Sequence, residues 1–444
     1  MTATETGADS QAPPGLLAPG LTPLQRLKAI AGGSAGNLVE WYDWFAYSSF
    51  ALYFAPHFFP SGDPTSQLLQ AAAVFAIGFL ARPLGAWLMG LYADRAGRKA
   101  ALSLSVAMMC AGSAIIAIIP DYAMIGVAAP AILLMARLLQ GLSVGGEYGA
   151  SATYLSEMAG KARRGFWSSF QFVTLISGQL LALGILILLQ RLMPTEDLEA
   201  WGWRSPFVFG ALLAVVVFWI RRGLEESASF QNAQASGAER ARTMMLFTHH
   251  PWETAAIFLL TAGGSLAFYA YTTYMQKFLV NTTGFSKETA TNITAGALVV
   301  YLFILPLFGW LSDKWGRRTN LAFTFGAGML LTYPIMTAMA GVTEPLMAFA
   351  LMVVLIVIIA GYTSVSAVTK AELFPAHVRA LGVALPYAMA NAVFGGTAEA
   401  VALGFKGQGV ESAFYIYVSA IMGVALITSL LLRDSRQHSR ILED

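Results

Sequence analysis

The sequence predicts an all-α membrane protein with twelve transmembrane helices in two pseudo-symmetric halves of six helices each. Three observations support this prediction: the composition, the number of long apolar runs, and a motif that occurs twice, about half a chain apart. Of the 444 residues, 57% are hydrophobic and only 12% are charged, and the mean hydropathy is +0.61. A soluble domain averages about 25% charged residues, so this composition excludes a soluble globular protein.

Twelve apolar runs approach or exceed the about 20 residues that a bilayer-spanning helix needs. We expect these spans at 29–55, 67–91, 100–119, 125–155, 166–190, 205–220, 251–280, 289–311, 319–340, 346–370, 380–404 and 412–432. The longest polar connection, 221–250, is predicted to be a cytoplasmic linker between two six-helix domains, 28–220 and 251–433. Residues 1–27 are expected to form a disordered cytoplasmic tail, and 434–444 a short one.

The Lys and Arg residues predict the orientation, because cytoplasmic loops carry an excess of them. With the N-terminus inside, twenty of the 27 lie on the inner side, five lie at outer ends, and Arg82 and Arg137 lie within helices. Both termini are therefore expected in the cytoplasm. The single cysteine, Cys110, excludes an intrachain disulfide. The sequence predicts no cofactor, no metal site and no nucleic-acid partner.

A short charged segment between two apolar runs occurs twice. Its glycine, aspartate, glycine and arginine keep their spacing: Gly90, Asp94, Gly97 and Arg98 in the first copy, and Gly309, Asp313, Gly316 and Arg317 in the second, 219 residues later. A second pair of matches agrees, since Glu157 and Arg164 are seven residues apart, as are Glu372 and Arg379. An internal repeat of this length indicates two homologous halves.

Two halves with Gly-x-x-x-Asp-x-x-Gly-Arg in each resemble the major facilitator superfamily. The stretches 36–43, 137–149 and 370–379 are similar to its metabolite:proton symporter family. This resemblance implies alternating access between two rocking halves and proton-coupled uptake of α-ketoglutarate or a close dicarboxylate, with citrate or shikimate as the alternative. It further implies a transporter, not an enzyme, in a bacterial inner membrane. Its expected partners are a small anionic substrate, protons and the lipid bilayer, and it is expected to work as a monomer.

The resemblance also implies a role for the charged segments, because in the superfamily such a loop closes the inner gate, with its Asp facing the start of helix 11. A helix N-terminus favours an anion, which fits that arrangement. The predicted cytoplasmic gate comprises Gly90, Asp94, Gly97, Arg98, Glu157, Arg164, Asp313 and Arg317. The alternative is that the basic residues only signal topology, which would not explain the paired Asp and Gly.

Ionisable side chains within the spans are candidates for function, because a charge inside a bilayer is costly. No histidine lies deep in a span, so proton coupling is expected to use the carboxylates Glu40, Asp43 and Glu147. Glu40 and Asp43 share a face of helix 1 and reach a depth comparable to that of Arg137 in helix 4. Protonating the acid would free the arginine for an anionic substrate, whereas the alternative is a permanent structural ion pair. For Glu147 the alternative is an interhelix hydrogen bond.

The candidate substrate-binding residues are Arg82, Arg137, Tyr271, Tyr274, Lys277 and Lys370. The arginines suit a dicarboxylate because a guanidinium can bind a carboxylate with two hydrogen bonds, although Arg82 precedes Pro83 and could equally stabilise a kink. Lys277 and Lys370 are expected near the outer and inner mouths, where they either steer anions or extend to lipid headgroups. The tyrosines line a cavity or hydrogen-bond neighbouring helices, and Glu399 is expected to be structural.

Overall fold

The computed structural model describes residues 23–60, 62–96, 98–144, 156, 161–222, 243–435 and 438–441. The N-terminal half contains α1 (Pro23–Phe58), α2 (Pro64–Leu80 and Arg82–Ala96), α3 (Arg98–Ile118), α4 (Ala128–Val144), α5 (Arg164–Ser168 and Phe170–Leu192) and α6 (Ser205–Arg222). The C-terminal half contains α7 (Pro251–Tyr271 and Met275–Asn281), α8 (Lys287–Trp315), α9 (Arg317–Ala340), α10 (Pro345–Thr363 and Ser366–Leu373), α11 (Ala376–Ala390 and Ala398–Gly407) and α12 (Ser412–Leu431). Short helices at Tyr122–Ile125, Thr195–Ala200 and Thr243–His249 belong to the connections.

Each of the twelve predicted spans overlaps one of these helices. Eight helices of the described residues are long and apolar enough to cross a membrane, and shorter apolar helices cover 103–118, 128–143 and 202–216. The twelve-helix fold is therefore confirmed. Residues 145–155, expected to end the fourth span, lie outside the described residues, as does most of the expected linker. The domain boundaries and the orientation of the termini stay predictions.

Several helices are interrupted near the centre of the molecule. Helix α2 is interrupted at Ala81, next to Arg82 and Pro83, because proline has no amide hydrogen to donate and its ring clashes with the preceding helical turn. Helix α7 breaks at 272–274, and the two segments of α11 are joined by the π-helix Asn391–Gly395. Irregular backbone at membrane depth is tolerated where it is covered by protein or lines a cavity. These breaks therefore locate the region where a site is expected.

The two halves contact each other at three levels. On the face where α5 begins and α8 ends, the start of α5 is hydrogen-bonded to α8; we call this the tail face, because residues 433–435 and 438–441 lie on it. On the opposite face, Lys287 Nζ is 2.7 Å from Glu199 Oε1. Between the two faces, Ser48 of α1 contacts Lys277 of α7. Since both faces are bridged, the structure shows a closed arrangement of the halves.

Candidate functional site

Close packing of α2 against α4 brings Arg82 and Arg137 together. A Cβ atom on Gly141 would overlap the carbonyl oxygen of Gly78, and one on Gly85 would overlap the backbone of Leu142. Small residues allow helix backbones to approach this closely in a membrane. The glycines of α2 flank Arg82, and Gly141 lies one turn after Arg137, so the two guanidinium groups meet at the same level.

Both arginines are buried against one aromatic ring. Arg82 is 6% exposed and Arg137 is completely buried. Their guanidinium carbons lie 4.2 and 3.8 Å from the centre of the Trp44 ring, so they are at most 8.0 Å apart. Arg82 also stacks on Phe79, which packs against Tyr269 of α7. The arginine pair therefore lies at the boundary between the two halves.

The arginines keep unused hydrogen-bonding capacity. Among the described residues, Nε and Nη2 of both Arg82 and Arg137 have no hydrogen-bond partner. A buried donor without a partner is costly, and charged groups are rarely left in this condition. Four unpaired guanidinium nitrogens at one level indicate a site for an anionic ligand with more than one acceptor group.

Arg137 is linked to Asp43 through a buried network of three helices. Its Nη1 lies 3.7 Å from Asp43 Oδ2 and donates to Gln140 Oε1 at 2.6 Å. Gln140 Nε2 in turn donates to Asp43 Oδ2 at 2.5 Å, and Ser113 of α3 donates to Oδ1 of the same carboxylate. The amide of Gln140 thus connects the cation to the anion. Of the two predicted carboxylates on α1, Asp43 is the one that pairs with Arg137.

Glu40 faces the other arginine. It is 6% exposed, makes further contacts of its own, and interacts electrostatically with Arg82. The two acids of α1 are therefore divided between the two arginines. Each of the three predicted helices, α1, α2 and α4, contributes charge to one cluster, which we call the arginine cluster: Glu40, Asp43, Arg82 and Arg137.

A second buried ion pair lies across the boundary from the arginine cluster. Lys277 Nζ is 3.0 Å from both carboxylate oxygens of Glu399, and Ser48 Oγ donates to Glu399 Oε2 at 3.0 Å. Lys277 is completely buried and Glu399 is 4% exposed. The sequence predicted Lys277 near the outer mouth; the structure instead buries it between the halves. We call Lys277, Glu399 and Ser48 the lysine cluster.

The other three predicted substrate residues make their described contacts within the C-terminal half. Tyr271 hydrogen-bonds Thr332 within the C-terminal half, and Tyr274 donates to Glu411 at 3.1 Å. Lys370 is buried with its ammonium 2.8 Å from Ser366 Oγ. It also lies 4.2 Å from the centre of the Tyr387 ring. A role of these three residues in substrate binding stays a prediction.

On the tail face, the second copy of the repeated motif joins the halves. The backbone amides of Gly165 and Phe166, in the first turn of α5, donate to the Asp313 carboxylate at 2.8 and 2.9 Å. This is the arrangement expected of an anion at a helix N-terminus. Arg317 Nη1 lies 2.8 Å from the same carboxylate, and its Nη2 lies 3.4 Å from Glu372 Oε1.

Arg164 of the N-terminal half reaches the same acid, with 3.8 Å between its Nη1 and Glu372 Oε1. The structure therefore brings together Arg164, Asp313 and Arg317, three of the predicted gate residues. Gly97, Glu147 and Glu157 lie outside the described residues. So do the side chains of Asp94 and Arg98 and the surroundings of Gly90. The role of the whole set as a gate stays a prediction.

The end of the chain covers this contact. Ser435 Oγ donates to Glu372 Oε2 at 2.6 Å, and the backbone amide of Arg317 donates to Asp434 Oδ1 at 3.1 Å. Further along, Arg164 donates to Ser439 at 3.4 Å. The C-terminal residues thus touch both halves at the residues that hold the tail face closed.

Sequence reasoning missed the residues that organise both clusters: Trp44, Ser113, Gln140 and Ser48. Gln140 offered a signal, since it follows Arg137 by three residues and so shares its helix face. Trp44 follows Asp43 directly, but nothing in its position shows that two arginines stack on it. Ser48 contacts residues 229 and 351 positions away, and one sequence does not contain that information.

A twelve-helix bundle in two halves, with buried arginines between them that keep guanidinium nitrogens without a partner among the described residues, defines a secondary transporter of anionic solutes as a class. A profile of the "Sugar (and other) transporter" family matches residues 30–247 and again 242–433. The chain belongs to this family, within the major facilitator superfamily.

Curated relatives extend over nearly the whole chain. The α-ketoglutarate permease of Escherichia coli K12 is 51% identical over 421 residues, covering 94% of this chain and 96% of the permease. The shikimate transporter of the same organism is 34% identical (92% and 95% covered), and the citrate-proton symporter of Klebsiella pneumoniae 32% (92% and 93%).

Among solved structures, a major facilitator proton:xylose symporter bound to 6-bromo-6-deoxy-D-glucose superposes with a TM-score of 0.75. It is 17% identical, and the match covers 94% of this chain and 98% of the symporter. This similarity confirms the fold. The relatives are transporters, and the chain is a multi-pass membrane protein.

Proposed function

We propose that this protein takes up α-ketoglutarate or a close dicarboxylate together with protons, by alternating access between its two halves. The observation that carries the proposal is the pair of buried arginines on Trp44, whose guanidinium nitrogens are partly unpaired. The 51% identity with an α-ketoglutarate permease supports the choice of substrate. The protein is thereby proposed to be a transporter and not an enzyme.

The spacing of the arginines suits a short dicarboxylate. In an extended five-carbon chain, four bonds of about 1.5 Å each place the carboxyl carbons about 5 Å apart. The guanidinium carbons of Arg82 and Arg137 are at most 8.0 Å apart. Each carboxylate can therefore lie against its own arginine, where a charge-assisted pair of hydrogen bonds is strongest.

Asp43 is proposed to couple this binding to a proton. While its carboxylate is charged, it holds Arg137 through the direct 3.7 Å contact and through Gln140. Protonation removes the negative charge, so that Arg137 becomes available to the substrate. When the proton leaves, the carboxylate competes for Arg137 again and promotes release.

Charge arithmetic favours more than one proton. Each elementary charge that crosses 100 mV is worth about 2.3 kcal/mol. A dianion with one proton still carries one negative charge inward, and an inside-negative potential opposes its entry. Two protons make the cycle electroneutral. A second proton-accepting group is therefore expected, with Glu40 and Glu147 as the candidates predicted from the sequence.

The proposed setting is the inner membrane of a bacterium, with the tail face in the cytoplasm and the protein active as a monomer. The excess of Lys and Arg on the predicted inner side supports this orientation. On this basis, the contacts of Arg164, Asp313 and Arg317 close the cytoplasmic entrance, and the Lys287–Glu199 contact lies on the outer side.

Uptake of labelled α-ketoglutarate into proteoliposomes, with and without an inward proton gradient, tests the proposal. We expect the gradient to stimulate uptake, and unlabelled dicarboxylates to compete. Unlabelled citrate, shikimate and proline serve as comparison competitors. If citrate or shikimate is transported in a gradient-dependent way and α-ketoglutarate is not, the substrate assignment is wrong, whereas the fold and the mechanism are unaffected. Absence of gradient-driven uptake of any of these solutes would contradict proton-coupled transport.

A further inference from the structure

We propose that Lys277 and Glu399 form a second proton-coupled site: Glu399 accepts a proton, and the released Lys277 ammonium binds a carboxylate of the substrate. This inference rests on the proposed function and extends it, because it assigns the second proton to a pair that sequence reasoning left as structural or peripheral. It is argued from the burial of the pair, its place beside two helix breaks, and its distance from the arginine cluster.

The pair is buried without being part of either half's interior. Lys277 lies on α7 and Glu399 on α11, whereas the hydroxyl of Ser48, which contacts both, belongs to α1 of the other half. An ion pair in an interior usually gains little over an apolar pair of the same volume, so its presence here calls for a reason other than stability. A place between moving halves supplies that reason.

Both members follow a break in their helix. Lys277 is in the third position of the segment Met275–Asn281, after the break at 272–274. Glu399 lies in the first turn of Ala398–Gly407, after the π-helix of α11. Discontinuous helices at the boundary of two repeats are where transporters of this kind hold substrates and coupling ions.

The pair lies within reach of a ligand held by the arginines. On α1, Ser48 is one turn beyond Trp44, about 6 Å along the axis at 1.5 Å per residue. Tyr47, between them, interacts electrostatically with both Arg137 and Glu399. A dicarboxylate bound at the arginine cluster therefore has a third buried cation nearby, provided that Lys277 is freed from its acid.

Few other titratable groups face Glu399. They are Lys277 and Tyr274 of α7 and Tyr47 of α1, which interact with it electrostatically. The first segment of α2, packed against the same part of α11, contains no titratable residue, and α12 contributes only Tyr415 and Tyr417. Lys406, on the same segment as Glu399, is paired with Glu411. Among these groups, Lys277 is therefore the one that carries the charge opposite to that of Glu399.

The cycle follows from these contacts. When the halves part on the side opposite the tail face, Ser48 leaves the pair and water reaches Glu399, whose carboxylate binds one proton. Lys277 keeps its positive charge and accepts a substrate carboxylate as its new partner. After the halves part on the tail face, the proton leaves, and the Glu399 carboxylate takes Lys277 back and displaces the substrate. This pair moves one proton with each substrate, in addition to the proton proposed for Asp43.

The test compares Glu399→Gln with Glu411→Gln in proteoliposomes. Both acids pair with a lysine of the C-terminal half, 3.0 Å away for Glu399 and 3.1 Å for Glu411, but of the two it is Glu399 that accepts a hydrogen bond from Ser48 of α1. Glutamine at 399 mimics the protonated acid permanently. We expect exchange of labelled for unlabelled α-ketoglutarate to continue, while gradient-driven accumulation falls by about tenfold per unit of pH gradient, the contribution of one coupled proton. Glu411→Gln should accumulate substrate like the wild type.

The number of protons per substrate, measured from the reversal potential, should be lower by one in Glu399→Gln. An unchanged ratio with normal accumulation would overturn the inference. A loss of both exchange and accumulation in a folded Glu399→Gln protein would also overturn it, because that result indicates a structural role. Wild-type uptake tests the proposed function separately, since it does not depend on the variant.

Lys277→Gln leaves the Glu399 carboxylate buried without its partner, so that variant is compared with the double variant Lys277→Gln/Glu399→Gln, which removes both charges. Thermal unfolding checks that each is folded. We expect the double variant to be folded, to lack the second proton, and to bind α-ketoglutarate at least about tenfold more weakly than Glu399→Gln alone. Equal binding by the double variant and Glu399→Gln would show that Lys277 does not contact the substrate.

Discussion

The arginine cluster and the lysine cluster lie within about one helix turn of each other along α1, yet they differ in how completely their polar atoms are paired. In the arginine cluster, four guanidinium nitrogens have no partner among the described residues. In the lysine cluster, Lys277 contacts both oxygens of Glu399 as well as Ser48, and no atom of the pair is unpaired in the same part of the chain.

The two clusters therefore stabilise their buried cations differently. In the arginine cluster, packing against Trp44 and Phe79 and the close approach of α2 and α4 at their glycines fix the positions of the guanidinium groups. Its unpaired guanidinium nitrogens can accept an anion without a rearrangement of the helices, although Arg137 is proposed to become fully available only when Asp43 is protonated. The lysine cluster is already compensated, so a substrate can use its cation only after a proton has neutralised the acid.

The largest effect is expected from Arg137→Gln, which breaks the arginine cluster. Removing one member of a buried charge pair costs about 3–5 kcal/mol, so α-ketoglutarate binding should weaken by at least about 100-fold. Direct binding of labelled substrate to purified protein measures this. Arg318→Gln is the control, since Arg318 is exposed on α9. Binding within a factor of a few of the wild type would remove Arg137 from the site.

A smaller loss is expected from Gly85→Ala, which changes the spacing of the arginines without touching a charge. The new Cβ would overlap the backbone of Leu142 and push α2 away from α4, a strain of about 1–3 kcal/mol. We expect uptake to fall by about tenfold. Gly184→Ala on α5 is the matched control, because no atom lies within 4 Å of the added methyl group. Equal uptake by both variants would show that the close approach of α2 and α4 is not required.

Asp313→Asn weakens the tail face and leaves both clusters intact. It removes the charge that accepts two amide hydrogen bonds and pairs with Arg317, worth about 1–3 kcal/mol. The halves should then part more often on this face. Pulsed electron paramagnetic resonance between labels at the exposed positions Arg163 and Thr319, in a Cys110→Ala background, should show a larger population at long distance. An unchanged distance distribution would contradict the gate assignment.

The smallest effect is expected from Lys287→Gln on the opposite face. Lys287 and Glu199 are 31% and 46% exposed, and exposed ion pairs contribute about 0–1 kcal/mol. Uptake should therefore change less than about threefold. The same spin-label measurement should show no opening at the tail face. If Lys287→Gln lowered uptake as much as Asp313→Asn does in the same assay, the two faces would be held with similar strength.

Much of the fold could be read from the sequence because a bilayer leaves few alternatives to apolar helices of about 20 residues. The break in α7 could not, since 272–274 contains neither proline nor glycine. Lys277 follows this break, and its burial between the halves was not predicted. The partner of Lys277 also went unrecognised, because Glu399 is 122 residues away.

The charges of the arginine cluster were predicted from their cost inside a membrane, and so was a pairing of Arg137 with an acid of α1. Which acid pairs with which arginine was not predicted. Asp43 was distinguished from Glu40 by contacts with Ser113 and Gln140, which lie 70 and 97 residues further along the chain. Helix spacing places residues on a common face, but it does not show which neighbouring helix that face meets.

The contacts of the last residues bear on how the protein can be handled in the laboratory. Asp434, Ser435 and Ser439 are hydrogen-bonded to Arg317, Glu372 and Arg164, and Ile441 packs against α10 and α11. An affinity tag or a fluorescent reporter attached shortly after Ile441 would be joined to the chain next to these contacts. Such fusions are expected to alter transport rates, and a cleavable tag allows the two forms to be compared on the same preparation.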